Sequence, residues 1–209
     1  PSMKTTITIG LDLAKEVFQV HGVDAAGLVT IRRALRRRQM LEFFRKLPPC
    51  LIGMEACGTS HHWARQLVAI GHNVKQMPAE YVKAYRRRGK TDAADAEAIC
   101  EAVTRPRLKE VATKTVEQQT LAMPHKARDL LVGQRTALGN SIRGQMAEFG
   151  IVAAAGEAGL LALLAIVVDE TRRELTAEQR AALMSLAAVL SEIEASIERL
   201  GAMMHAHAK

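Results

Sequence analysis

The chain has 209 residues, enough for one sizeable core and a second, smaller element, and only 3% are aromatic, so aliphatic side chains must fill that core. The longest apolar run, Leu160 to Val168, is too short to span a bilayer, no signal-peptide pattern opens the chain, and three cysteines (Cys50, Cys57, Cys100) without a C-x-x-C pair exclude a disulfide framework and a thiolate zinc site. The expectation is a cytoplasmic protein with no membrane partner. Its net charge of +7 is uneven: residues 1–114 hold 20 Lys/Arg against 11 Asp/Glu, whereas residues 115–209 hold 9 against 11. A nucleic-acid footprint would therefore lie in the first half.

Thr5 to Asp12 alternates and is β-branched, which predicts a strand ending at an acid. Val17 to Val23 and Leu28 to Ile31 read as the next two strands, with Asp24-Ala-Ala-Gly27 as the turn of an antiparallel meander. From Arg36 to Leu47 the apolar residues Met40, Leu41, Phe44 and Leu47 fall at helical spacing, and Pro48-Pro49 stops the helix. Leu51 to Glu55 is a short apolar strand that also ends at an acid. Gly58-Thr-Ser opens a helix through Trp63, Leu67 and Ile70, closed by Gly71. Asn73 to Met77 reads as a fifth strand, followed by a helix from Ala79 to about Arg87. Thr91 is a good N-cap for an Ala/Glu-rich helix from Asp92 to Ala102.

After about residue 114 the pattern becomes helical throughout. Glu117 to Phe149 reads as one long helix that Pro124 should kink or split. Leu160 to Val168 is a short buried helix. Thr176-Ala-Glu-Gln179 is a capping-box pattern. Behind it Leu183, Leu186, Leu190, Ile193, Ile197, Leu200 and Met204 recur at alternating steps of three and four, a coiled-coil seam. Its partner is either the preceding helix of the same chain or a second copy in a homo-oligomer. Two domains are expected, 1–114 and 115–209.

A three-stranded meander followed by strands alternating with helices is the order of an RNase H-like α/β fold: a mixed five-stranded sheet with flanking helices, here followed by the coiled-coil region. In that topology the first and fourth strands are neighbours, so Asp12 and Glu55 would lie close together. Asp92 and Asp95, three apart on one helical face, could join them. Singly, Asp12 reads as a strand-end cap, Glu55 as a surface acid, and the helical pair as first-turn acids suiting the helix dipole. Converging carboxylates raise one another's pKa unless a cation neutralises them, which points to Mg2+, or Mn2+ in its place.

The blocks Met54-Glu-Ala-Cys-Gly-Thr-Ser60, Pro78 to Lys83, Lys90 to Val103, Gln134 to Leu138 and Ala147 to Val152 closely resemble the DEDD transposases of insertion-sequence family one-hundred-and-ten, and its eleven-eleven subgroup in particular. The Piv-type invertases are relatives. The likeness extends from residue 5 to about 170. It implies a RuvC-like catalytic domain whose tetrad falls on Asp12, Glu55, Asp92 and Asp95 and holds divalent metal. It also implies DNA as the substrate to be cut and rejoined, with a structured bridge RNA as guide in several members. A C-terminal domain bearing a nucleophilic serine is a further feature of the family. No serine of this sequence matches it, so half of a composite site is expected here.

Lys15, Arg86, Arg87, Arg88 and Lys90 flank the acids and could hold a phosphate backbone, while Arg32, Arg33, Arg36, Arg37 and Arg38 form a second basic strip. Each charge taken singly reads equally as a solvated surface group. His61 and His62 read as helix-surface residues, because imidazole is not a usual Mg2+ ligand. Cys57 reads as packing. Three other readings stay open. An actin-like sugar kinase also opens with Gly10-Leu-Asp12 and a hairpin, yet it needs a Gly-rich nucleotide loop that this sequence lacks. A non-catalytic nucleic-acid-binding and dimerisation module needs only the basic half and the seam. A stand-alone junction nuclease is a variant of the main reading.

Overall fold

The computed structural model describes residues 5–85 and 92–207, with Asp92 described by its backbone alone. The chain divides into two compact units, Pro1–Thr115 and Val116–Lys209. In the first unit, β1 (Thr8–Asp12), β2 (Val17–Val23), β3 (Val29–Arg36), β4 (Leu51–Glu55) and β5 (Asn73–Met77) form one mixed sheet in the order β3-β2-β1-β4-β5. The first three strands are an antiparallel meander, and β4 and β5 run parallel to β1. The turn between β2 and β3 is held by the Asp24 carboxylate, which accepts the amides of Ala26 (3.0 Å) and Leu28 (2.9 Å). Gly27 supplies the left-handed residue, with φ at +76°.

Strand β3 runs well past the expected end at Ile31, pairing with β2 as far as Val17↔Arg36. It is the sheet edge, where outward arginines are tolerated and blunt the edge against foreign strands. The expected helix from Arg36 is correspondingly shorter. A single 3-10 turn (Arg37–Gln39) leads into α1 (Met40–Arg45). Strand alternation then sorts the sheet into two faces. Ile9, Leu11, Phe18, Val20, Leu35, Ile52 and Met54 share one face and pack on Met40 and Phe44 of α1 and on Trp63, Ala64 and Leu67 of α2 (Ser60–Ala69). Edge-on contact between Phe18 and Trp63, 5.2 Å between ring centres, closes that layer.

The opposite face carries α4 (Asp92–Ala102), with Ala98, Ile99, Ala102 and Val103 packed on Met77 and on Val82 of α3 (Ala79–Lys83). Helix α3 ends before the expected Arg87. Arg86, Arg87, Arg88, Lys90 and the expected cap Thr91 lie outside the described residues. Two glycines let α4 approach. A Cβ on Gly10 would fall 2.0 Å from the Ala96 carbonyl oxygen and 2.4 Å from the Cys100 nitrogen. One on Gly53 would fall 2.6 Å from the Val103 Cβ.

The second unit is helical. It comprises α5 (Val116–Ala147), α6 (Glu157–Val168) and α7 (Ala177–His207). Helix α5 runs unbroken through Pro124, so of the expected kink or split the split does not occur. Pro124 sits early in the helix and lines a small cavity with Leu121, His125, Met204 and His207. The capping box is reciprocal: the Gln179 side chain accepts the Thr176 amide at 2.8 Å, and the Thr176 hydroxyl accepts the Gln179 amide at 3.3 Å. Leu183, Leu190, Ile193 and Ile197 are buried, the first two in one cluster with Ile142 and Met146 of α5 and Leu163 and Val167 of α6. From Leu183 to Leu190 the seam is therefore filled within the chain. Leu190→Ala should cost about 2–5 kcal/mol in denaturant unfolding. An unchanged midpoint would mean that this contact is not a core.

Candidate functional site

Strands β1 and β4 are parallel neighbours in the register Leu11↔Met54, and each ends one residue later, at Asp12 and at Glu55. Adjacent strands lie roughly 4.8 Å apart, so the two acids stand side by side at one end of the sheet. Both fall on the face that carries α4, and both are half-buried. The strand-end reading made from the sequence puts them next to each other because the fourth strand returns beside the first.

The course of α4 relates Asp95 and Asp92 to that pair. The Cys100 thiol donates to the Thr8 carbonyl at 3.8 Å, and one turn earlier the Ala96 carbonyl lies over Gly10. Helix and strand thus run antiparallel. Four helical residues rise about 6 Å, and two strand residues advance about 6.6 Å. That course points the start of α4 toward the end of β1 where Asp12 stands, yet Asp95 is not gathered with Asp12 and Glu55 into a group that could hold a metal ion. Asp95 is half-buried. Burial of the Cys100 thiol under this contact pushes its pKa up to about 11.

Among the described residues no group of three or more His, Cys, Asp or Glu side chains is gathered closely enough to hold a metal ion. Asp12 and Glu55 supply the kind of oxygen ligand a hard divalent cation takes, and the Asp92 carboxylate lies outside the description. The fit to such an ion thus rests on two adjacent carboxylates and on the approach of α4.

The basic strip of β3 is split by strand alternation. Arg32 and Arg36 pair with His21 and Val17 on the face of the acids. Arg33 lies on the other face, its guanidinium 5.6 Å from the Phe43 ring centre. Arg37 stacks over Trp63 at 5.1 Å and Phe18 at 5.9 Å. Lys15, Arg36, Arg37 and Arg38, with Glu16 and Val17, line an open cleft of about 550 Å³. It lies at the same end of the sheet as Asp12, because Val17 starts β2 and Arg36 ends β3.

A second cavity, about 380 Å³, opens on the acid face and was not foreseen in the sequence. Gln19, paired with Asp12, lines it together with His21, Arg32, Ala34, Ala93, Ala94 and Glu97. Arg32 and Glu97 form an ion pair at 3.7 Å. His21 is 5% exposed. Burial lowers its pKa from the usual imidazole range; Glu97 opposes that shift and Arg32 adds to it. No motif spacing marks His21 or Glu97. Only the pairing of β2 with β3 beneath α4 brings them together. Cys57, expected to pack, is instead exposed, its sulfur 3.6 Å from the Thr59 hydroxyl. His62 lies edge-on to Trp63 at 5.1 Å.

Comparison with known proteins gives the class. Residues 9–151 match the DEDD transposases of the IS110 type, a family described as "Transposase". The chain belongs to that family. It is 48% identical over 202 residues to the "Probable family 20 transposase" of Pseudomonas aeruginosa, a match covering 96% of this chain and 60% of the relative. Over 155 residues it is 41% identical to the transposase for insertion sequence element IS1111A of Coxiella burnetii, covering 74% of this chain and 43% of that protein. The transposase for insertion sequence element IS1328 of Yersinia enterocolitica is 36% identical over 168 residues, or 80% of this chain and 50% of the relative. The chain spans about half the length of the curated relatives it matches.

Proposed function

We propose that the first unit is an RNase H-like (RuvC-like) catalytic domain of a transposase, acting on DNA phosphodiester bonds. In this reading Asp12, Glu55, Asp92 and Asp95 hold Mg2+ or Mn2+. The observation that carries it is the side-by-side ending of β1 and β4 at Asp12 and Glu55, with α4 running antiparallel above them. A divalent ion bound there supplies Lewis-acid neutralisation of charge on the phosphate oxygens. The chain's own residues do the rest. Asp12 and Glu55 would present oxygens from adjacent strand ends, and the first-turn acids of α4 would complete the set. Lys15, Arg36, Arg37 and Arg38 receive the flanking phosphates, and Arg86, Arg87, Arg88 and Lys90, outside the described residues, are proposed to add to that contact. Such contacts are sequence-blind, so a bridge RNA backbone fits them as well as DNA does. A serine nucleophile would come from outside residues 1–209, and the half-buried end of the seam, Leu200 and Met204, would serve assembly.

Thermal unfolding with and without Mn2+ tests this. An ion that binds only the folded state adds about 2.7 kcal/mol at a hundred times its dissociation constant. Asp12→Ala and Glu55→Ala should each remove that gain. A wild-type chain indifferent to Mn2+ and Mg2+ would sink the metal site. The absence of a gathered ligand group among the described residues favours one second reading, a non-catalytic nucleic-acid-binding unit. Salt-sensitive DNA binding together with no metal effect would be its signature.

A further inference from the structure

Gln76 stands in β5 on the face covered by α2 and is 1% exposed. It is hydrogen-bonded in two directions. Toward the acids, the Ser60 hydroxyl donates to its Oε1 at 2.5 Å; the same oxygen accepts the Cys57 amide at 3.0 Å and lies 3.0 Å from the Cys57 carbonyl, a second acceptor for its one hydrogen. Cys57 lies two residues beyond Glu55, and between them the Ala56 amide donates to the Met77 carbonyl at 2.8 Å. Away from the acids, Gln76 Nε2 donates to the Thr113 hydroxyl at 2.8 Å and to His61 Nδ1 at 3.3 Å. The Gln76 carbonyl accepts the Val111 amide at 2.8 Å. Residues 110–114 are fastened to the same edge by the Lys75–Glu110 ion pair, by the Lys114 amide donating to His61 Nδ1 at 3.2 Å, and by Arg65 donating to the Lys114 carbonyl.

We propose that Gln76 is a positioning residue, a clasp coupling the strap 110–114 to the loop that directly follows Glu55. The importance of Glu55 rests on the function proposed above; the coupling itself rests on the hydrogen bonds. The strap follows α4, the helix of Asp92 and Asp95, so the clasp closes a loop between the two elements that bring acids to the site. A buried amide cannot shed one partner without cost. If the strap lifts, Nε2 loses Thr113, the side chain turns to recover a partner, and Oε1 leaves Ser60. The Ser60 hydroxyl is then held only within its own loop, by the Cys57 amide and carbonyl, and the anchor of that amide loosens. An apolar residue would fill this buried position without such ties, whereas a fully bonded amide fixes one arrangement of three segments.

Amide hydrogen exchange on the full chain tests the coupling. Thr113 is exposed, so Thr113→Val removes the acceptor and leaves the fold standing. The expected result is faster exchange at Val111 and Lys114, together with about tenfold faster exchange at Cys57, which Thr113 does not touch. Thr113→Ser should restore all three. Mn2+ affinity, read by calorimetry, should weaken several-fold in Thr113→Val and recover in Thr113→Ser. Acceleration confined to Val111 and Lys114, with Cys57 unchanged, would overturn the clasp. A wild-type chain that binds no Mn2+ would fail the metal reading alone, because the exchange at Cys57 still decides the coupling.

Discussion

Gly10→Ala is expected to unseat α4 and to destabilise the first unit by about 3 kcal/mol or more, at or above the upper end of ordinary overpacking. The added Cβ would meet backbone, the Ala96 carbonyl oxygen at 2.0 Å and the Cys100 nitrogen at 2.4 Å, and backbone cannot rotate aside as a side chain can. The helix must slide or tilt, and Asp95 moves with it. Denaturant unfolding followed by circular dichroism would read the loss. Gly58→Ala serves as the control, since no atom lies within 4 Å of its added carbon. The Mn2+ stabilisation should vanish in Gly10→Ala although all four acids remain. A variant that unfolds with the wild type would show that α4 does not sit on β1 as described.

Replacing Lys15, Arg36 and Arg38 together by Ala should flatten the salt dependence of DNA binding. Each phosphate neutralised on duplex DNA contributes about −0.9 to the slope of log affinity against log salt, so three lost contacts should reduce its magnitude by about 2.7. Arg37 is left in place because its guanidinium stacks over Trp63 and Phe18, and removing it would disturb packing as well as charge. Arg199→Ala in the second unit should change nothing, since that arginine already pairs with Glu192 at 2.7 Å. An unchanged slope in the triple variant would move the backbone path away from the cleft.

The strand-end acids were legible because each closes a short β-branched or apolar run, and the meander order predicts which strands become neighbours. Strands Val17–Val23, Leu51–Glu55 and Asn73–Met77 and the helix Asp92–Ala102 lie where the local pattern puts them. The alternating seam of Leu183 to Met204 likewise marks α7. The local pattern ends β3 too soon, because its second half is arginine-rich and only pairing with β2 keeps it extended. Pro124 does not split α5, and the residues beside it at the end of α7 are some eighty residues away along the chain.

What the sequence determined by itself was therefore the set of elements, their order and the acids at their ends, because periodicity and capping act between residues close along the chain. The tertiary structure decided the rest. It sent Arg32 and Arg36 to the acid face and Arg33 to the aromatic layer, filled the first part of the α7 seam from α5 and α6, and bonded Gln76 to both Ser60 and Thr113. These depend on which strands lie side by side and on how closely α4 can approach Gly10. Both are set by packing between segments far apart in the chain, where a missing side chain matters as much as any that is present.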